Sequence, residues 1–307
     1  MESRWKAAQT NHDADYHGGM VSNPPASALT SSRRFGGLDR LYGPGTVARL
    51  AAVHVTVIGI GGVGSWAVEA LARSGVGRLT LIDLDHVAES NMNRQIHAVE
   101  DALGAAKVHV MRNRVLSINP ACIVDCSEEF IDAENLGRLV PECDAVLDAI
   151  DNVRAKAALI AHCRAHKLPV VTTGGAGGRL DPTRTEVDDL ARTIEDPLAS
   201  KVRARLRKEY GFPRDPKKKF GVECVYSREP LRRPENAANA ENPEKPGHRT
   251  ASADFCAEES GTSCAIDGSA GLACAGYGSS VAVTAAFGFA AASRVLALCL
   301  AGILPRQ

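Results

Sequence analysis

The sequence predicts an α/β fold with a doubly wound, mostly parallel sheet, and three observations carry that prediction. Short β-branched runs alternate with helix-compatible runs at close spacing between residues 53 and 173, the pattern of strands joined by crossover helices. The first run, Val53-His54-Val55-Thr56-Val57-Ile58, enters Gly59-Ile60-Gly61-Gly62-Val63-Gly64, which fits G-x-G-x-x-G and leads at once into a helical run. A second strand over 78–82 ends in Asp83, 24 residues after Gly59, where sheets of this kind place a ribose-binding carboxylate. The glycine pattern alone is weak. Its context makes it a nucleotide site, because such a turn presents backbone N–H groups and a helix N-terminus to phosphate oxygens.

Composition bounds the rest. At 307 residues the chain is long enough for one large core or two modest ones. Lys plus Arg equals Asp plus Glu at 36 each, so net charge points to no polyanionic partner, and any nucleic-acid contact has to come from a local patch. The nine cysteines (122, 126, 143, 163, 224, 256, 264, 274 and 299) are irregularly spaced and mostly inside apolar runs. With no signal peptide at the start, this usage suggests buried thiols in a reducing cytoplasm. No C-x-x-C pair occurs, so no structural zinc is expected.

Taken in order, residues 1–33 are polar without an apolar period and read as a disordered leader. Residues 34–43 carry Arg34 and Arg40 just ahead of the nucleotide strand, either as solvated surface or as phosphate ligands, and a short helix follows around 46–52. After Asp83, the polar run through Asp85, Asn93 and Arg94 has no period and reads as a loop at the carboxyl end of the second strand. A helix over about 104–119 holds Lys107 in its first turn, where a cation is disfavoured and a phosphate partner would compensate. Strands follow at 123–130, 144–151 and 169–173, with helices at 136–140 and 153–167 between them. The last of these strands runs into Gly174-Gly175-Ala176-Gly177-Gly178, a stretch open to close ligand approach. Residues 179–189 alternate like an antiparallel extension. The block 201–219 is strongly basic and includes Lys201, Arg205, Lys217, Lys218 and Lys219. It reads equally as a solvated face or as a phosphate-backbone tether. Residues 230–275 look like a flexible insertion, so the folded unit is expected to comprise 34–229 and 276–307. The last stretch is a small-residue, apolar helix. Arg294 interrupts it short of the ~18–20 apolar residues of a membrane span, so it is expected in the core or a subunit interface.

The polar groups argue against hydride transfer. Asn93, Arg94, Lys107 and Asp151 gather at successive strand ends and loops, and two cations with a carboxylate suit a triphosphate with Mg²⁺. A substrate carboxylate would then attack ATP, giving an acyl-adenylate and pyrophosphate.

Five segments together are similar to the adenylating family of ubiquitin-activating-like enzymes. They are Arg34-Phe35-Gly36-Gly37, the turn from Gly59 to Ser65, Asp83-Leu84-Asp85, Asn93-Arg94-Gln95-Ile96-His97 and Asp148-Ala149-Ile150-Asp151. Within it, the run from Val170 to Gly178 with Asp181-Pro182, then Asp196-Pro197-Leu198-Ala199 and Gly221-Val222-Glu223-Cys224-Val225-Tyr226-Ser227, resembles the branch that acts on threonylcarbamoyladenosine in tRNA. The similarity covers 34–227 and again about 276–293.

That resemblance implies adenylation of the threonylcarbamoyl carboxylate beside the anticodon, then closure of the side chain with loss of AMP. It implies that Gly59, Gly61, Gly62, Gly64, Asp83, Asp85 and Asn93 hold ATP, that Arg94 and Lys107 meet its phosphates, and that Asp151 supports Mg²⁺. It also implies a homodimer in which Arg40, or Arg34, serves the neighbouring subunit's phosphates, and a basic block that binds tRNA. Two other readings stay open on the residues: an activator of a sulfur-carrier protein working with a sulfur-transfer partner through Cys274, Cys264 or Cys256, and a nucleotide sensor without catalysis.

Overall fold

The computed structural model describes residues 26–232 and 277–301. Strand β1 (His54–Ile58) lies centrally between β2 (Arg78–Ile82) and β4 (Ala145–Asp148), and β3 (Ile123–Ser127) extends the sheet beyond β2. Beyond β4 come β5 (Val170–Thr173), β7 (Glu223–Ser227) and β6 (Thr185–Asp189), giving the order β3-β2-β1-β4-β5-β7-β6. All pairings are parallel except β6 with β7, so the antiparallel extension expected near residue 189 forms, at one edge. The order reverses direction between β1 and β4, and a crevice opens at the carboxyl ends of such strands.

The period of two sorts each strand between two cores. Val55 and Val57 of β1 and Leu147 of β4 face helices α3 (Gly64–Arg73), α4 (Lys107–Ile118) and α8 (Val281–Cys299). Ile58 and Val146 face the other side, against α6 (Val153–Ala165) and α7 (Pro197–Glu209). Two further short helices add to these layers: α2 (Thr46–Ala51) puts Leu50 into the first core and α5 (Leu136–Leu139) puts Leu136 and Leu139 into the second. Burial on both faces explains why the central strands read as continuous apolar runs.

The turn after β1 needs glycine for a packing reason at two positions. Gly59 has φ +86°, and a Cβ there would lie 2.8 Å from the Ala149 carbonyl oxygen; a Cβ at Gly64 would lie 1.8 Å from the Gly59 carbonyl oxygen. Helix α3 therefore starts as close to β1 as backbone permits.

Three differences from the sequence reading matter. Helix α1 (Ala26–Tyr42) begins inside the stretch expected as leader, so residues 26–33 are helical and the expected disorder there does not hold. Its apolar anchors come late, at Phe35, Leu38 and Tyr42, which pack on the first core or are buried beside it, so the start carries no apolar period to read. Strand β3 stops at Ser127 and leaves Phe130 in a loop. The basic block is not one surface: it divides between α7 and the loop that follows it. The rest of the leader and most of the insertion lie outside the described residues.

Among the described residues, α8 is the one helix long and apolar enough to cross a membrane by length and composition, and half of its most apolar window is buried. It packs on α3 at Gly288, where a Cβ would lie 2.6 Å from the Val63 carbonyl oxygen. Arg294, which interrupts its apolar run, forms a two-bond pair with Glu223 of β7 at 2.7 and 2.8 Å.

Candidate active site

A slot of about 450 Å³ runs along the carboxyl edge of the sheet, in the size range of small-molecule sites. Its lining follows strand order. Phe130 and Ile131 line it beyond β3, Asp83 and Asp85 beyond β2, and Gly59, Gly61 and Gly62 beyond β1. Asp151 follows beyond β4 and Gly174 to Gly177 beyond β5, with Leu198 at the start of α7, Leu231 and Tyr277 closing that end. A Cβ at Gly61 would meet no protein atom within 4 Å, so protein packing does not demand a glycine there. The space in front of it is the slot.

Each polar group is held by its own local geometry. Asp83 Oδ2 accepts the Ile60 N–H and Oδ1 accepts the Asp85 N–H at 2.8 Å, which ties the glycine turn to the end of β2. Burial pushes the Asp83 carboxyl above the usual range, partly offset by Lys107 and these two N–H donors. A carboxylate has lone pairs beyond these two bonds, so hydroxyls can still be accepted. Arg94 is fixed from both ends: its carbonyl accepts Trp66 Nε1–H at 3.0 Å, and its Nη1 donates to Ser90 O at 2.6 Å and Asn93 Oδ1 at 3.0 Å. Its side-chain stem lies against the glycine turn, 3.4 Å from where a Gly62 Cβ would be.

Lys107 opens α4, and its Nζ sits 2.7 Å from Asp85 Oδ2. The lysine side chain is 6% exposed and the aspartate 70%. The cation at a helix N-terminus thus has an internal partner, and that partner faces the slot.

The floor holds a second network. Asp148 ends β4 and accepts Thr172 Oγ1–H at 2.6 Å, and Lys156 Nζ lies 2.8 Å from its Oδ2 with both side chains under 3% exposed. At the far end, Asp196 caps α7 by accepting the Ala199 N–H at 2.8 Å and also accepts the Gly175 N–H at 2.9 Å. The glycine run and the start of α7 are therefore one unit.

Of the residues singled out from sequence, Gly59, Gly61, Gly62, Asp83, Asp85, Arg94, Lys107 and Asp151 line this slot. Gly64 sits behind it, serving the close approach described above. Asn93 does not reach the slot: it is exposed, and its amide donates to Ser279 O at 3.0 Å while its Oδ1 holds Arg94. Asn91 lines the slot instead, because the short helical turn over Glu89–Asn91 points the two asparagines apart. Arg40 is exposed on α1 and absent from its own chain's slot, and Arg34 donates to the Ile118 carbonyl at the end of α4 at 2.8 Å. Arg205 is paired with Glu209 at 2.8 Å, Lys201 is exposed, and Lys217 to Lys219 are exposed at the opposite edge of the sheet. Sequence reasoning missed Asn91, Gln95, Phe130, Tyr277 and Thr284, all on the slot. Lys156 carried a signal, a lysine among the buried alanines of α6.

The ThiF family matches residues 37–298. The chain belongs to that family. Among its curated relatives, tRNA threonylcarbamoyladenosine dehydratase of Escherichia coli K12 is 46% identical over 270 residues, covering 86% of this chain and 92% of that one. The enzyme of the same name from Haemophilus influenzae is 45% identical over 265 residues with the same coverage. The crystal structure of the E. coli dehydratase in complex with ATP superposes with a TM-score of 0.73 at 44% identity, covering 88% of this chain and 95% of that one. A second structure of it, with AMP, gives the same score. More distantly, molybdopterin-synthase adenylyltransferase of E. coli is 39% identical over 128 residues, 42% of this chain and 51% of that one.

Among the described residues, no three His, Cys, Asp or Glu side chains meet in a way that would hold an ion. A magnesium–phosphate complex asks less of the protein, since one or two carboxylates suffice beside phosphate oxygens and water. Asp151, exposed and on the slot, fits that demand.

Proposed function

We propose that this chain adenylates the carboxylate of threonylcarbamoyladenosine in tRNA at the expense of ATP and lets the activated side chain close on itself, expelling AMP. The observation that carries this reading is the order of groups along the slot: apolar wall, carboxylate, glycine turn with two cations, carboxylate, then an open glycine-lined end. A nucleotide laid in that order puts its base by Phe130 and Ile131, its ribose at Asp83 and its phosphates over Gly61 and Gly62 between Arg94 and Lys107. The acceptor then enters over Gly174 to Gly177. The identities of the relatives support tRNA as the carrier of that acceptor.

The chain's residues have defined tasks in this scheme. The glycine turn and the start of α3 offer N–H donors to phosphate. Arg94 and Lys107 neutralise the charge that grows as the acceptor oxygen attacks the α-phosphorus and pyrophosphate leaves. Asp151 would hold Mg²⁺, which when bound neutralises the departing pyrophosphate. Asn93 and Gly64 act indirectly, the first on Arg94 and the second on the turn. Ring closure needs no enzyme nucleophile, because the attacking group belongs to the substrate.

As the chain's assembly we propose a homodimer in which Arg40 completes the partner's phosphate site. Arg34 is the weaker candidate, its guanidinium being engaged by Ile118. Residues 34–229 and 276–307 would form the adenylating unit, with 230–275 an insertion, and the enzyme would work in the cytoplasm beside its tRNA.

The sulfur-carrier reading requires a reactive thiol. Burial pushes Cys122, Cys126 and Cys299 up to about 11 and Cys163 up to about 12, which removes the thiolate that such chemistry uses. Cys256, Cys264 and Cys274 lie outside the described residues, and a sulfur-transfer partner would have to use one of them.

The test is direct. Purified protein with ATP, Mg²⁺ and threonylcarbamoyladenosine-bearing tRNA should release AMP and pyrophosphate and yield the cyclic nucleoside, while a carrier protein ending in glycine should not stimulate turnover. Stimulation by the carrier and none by the tRNA would sink the proposal.

A further inference from the structure

The edge of the sheet opposite the slot gathers positive charge from three parts of the chain. Because β5 and β7 are parallel, the residues leading into them share the amino edge. Arg164 and Lys167 stand there at the end of α6, and Lys217, Lys218 and Lys219 stand there before β7. The two groups, some fifty residues apart in sequence, come to one edge, with Arg164 beside Gly221, two residues past Lys219. A hollow of about 290 Å³ is lined by Arg164, Lys167, Leu168, Gly221 and Val222, and Arg164 Nη1 lies 2.5 Å from where a Gly221 Cβ would be. The Leu190 N–H donates to the Val222 carbonyl at 2.8 Å, which brings the chain to the same edge two residues before Arg192. All six side chains are exposed.

Ordinary structural roles account for their neighbours and for Arg164, and not for the lysines. The arginines of α7 are engaged: Arg203 on Thr193, Arg205 on Glu209, and Arg207 over the Phe220 ring at 5.3 Å. A helix C-terminus favours cations, which covers Arg164. It does not cover Lys167, which lies past the helix at φ +55°, or the three lysines, which belong to no helix. The nearby carboxylates are turned to backbone: Asp215 accepts the Lys217 N–H at 2.9 Å, and Asp189 accepts the N–H groups of Phe220 and Gly221 at 2.8 and 2.7 Å. On a chain with no net charge, this local excess is built by folding.

We propose that Arg164, Lys167, Arg192, Lys217, Lys218 and Lys219 form a second RNA-backbone contact, which holds the body of the tRNA while its modified base reaches the slot on the opposite edge. This rests on the reading of tRNA as substrate. Phosphodiester is favoured over a protein partner because, of the large apolar side chains exposed among the described residues, Ile194 alone lies within a few residues of these six in sequence, and protein interfaces depend on clusters of such anchors. Lysines on loops bind phosphate without reading sequence. The edges are close enough for one RNA to touch both: α7 spans the distance between them, and its 13 residues rise about 20 Å.

Two substrates and one double variant test this. Arg164→Gln/Lys167→Gln should raise the KM for full-length modified tRNA roughly tenfold and make its salt dependence shallower by about 2 in slope, one for each phosphate no longer neutralised. The same variant acting on an isolated anticodon stem-loop carrying the modified nucleoside should match the wild type, which also establishes that it is folded. Alanine at Lys217, Lys218 and Lys219 should reproduce the pattern. Unchanged KM and salt slope on full-length tRNA would overturn the inference, as would equal losses on both substrates. Wild-type inactivity on both RNAs would instead defeat the underlying function, so the two failures are distinguishable.

Discussion

Two lysine–aspartate pairs flank the slot with nearly the same contact, yet they do different work. Lys156 and Asp148 meet at 2.8 Å beneath the floor with both side chains shut off from water, and Lys107 and Asp85 meet at 2.7 Å at the rim with the carboxylate 70% exposed. Beneath the floor, every group is committed: Lys156 Nζ also donates to Thr172 Oγ1 at 3.1 Å and to the Asp148 carbonyl at 3.3 Å, while Thr172 donates to Asp148. At the rim, Lys107 has Asp85 on one side and the slot on the other, with donors to spare among its three protons. A closed network fixes the position of β4 and β5. An open one can exchange its partner for phosphate. Contact distance alone does not separate the two; the number of uncommitted donors does.

Breaking the floor pair should have the larger effect. Lys156→Met leaves Asp148 buried without its counter-charge and should lower stability by about 3–5 kcal/mol, read as a fall in urea midpoint at constant slope. Adding Asp148→Asn to it should restore part of the loss, because the two effects belong to one network. A loss under about 1 kcal/mol for the single variant would mean the floor is wet and the contrast is false.

Breaking the rim pair should leave the fold and remove the chemistry. Lys107→Ala frees an exposed carboxylate, which costs the fold little. It withdraws a preplaced cation from the triphosphate and should slow AMP formation by about 10²–10³-fold. Normal turnover with a destabilised fold would invert the assignment of the two pairs.

How much of this is legible in the sequence depends on how local the cause is. The strand–glycine–helix turn and Asp83 are readable because Gly59 and Gly64 answer to backbone contacts within a few residues or one neighbouring strand. Arg94 and Lys107 are readable as candidates, but nothing in the sequence signals that Lys107 already has Asp85 as a partner. Asn93 and Asn91 are two residues apart in one polar run, and only the turn geometry decides which faces the slot. The sequence reads as one strand on to Phe130, whereas the ladder with β2 ends at Ser127, opposite Ile82, the last residue of β2. The basic block looks continuous in sequence, and only the return of the chain along β7 carries Lys217 to Lys219 away from the slot and toward Arg164. The start of α1 escapes a sequence reading because its apolar anchors come late in the helix.

A third measurement sharpens the contrast through pH. His97 is buried near Lys107, and neither ring nitrogen has a hydrogen-bond partner among the described residues. Burial foremost, then the charges of Lys107 and Arg114, lower its pKa from 6.5 to about 4. The folded state therefore keeps it neutral while the unfolded chain takes up a proton, so stability is full above the unfolded value and is lost as pH falls from about 6.5 toward 4. Between pH 7 and pH 5 this amounts to about 2 kcal/mol. His97→Leu should flatten that part of the stability profile. An unchanged slope would mean the imidazole is not held neutral, and the cation at the rim would then have a charged neighbour.

The smallest effect should come from the exposed half of the rim pair. In Asp85→Asn the backbone contact persists, because the Asp85 carbonyl accepts the Lys107 N–H at 3.0 Å and still sets the start of α4. What disappears is the anion that holds Lys107 Nζ in one place before ATP arrives. A half-exposed pair of this kind is worth about 0.2–1 kcal/mol, so the KM for ATP should rise by no more than about fivefold with kcat unchanged. The KM–kcat split carries the argument: an aspartate that only positions a cation affects capture of ATP, whereas one that binds metal or meets the reacting phosphate affects the chemical step. A hundredfold fall in kcat would therefore place Asp85 among the reacting groups, beside Asp151, the proposed magnesium ligand.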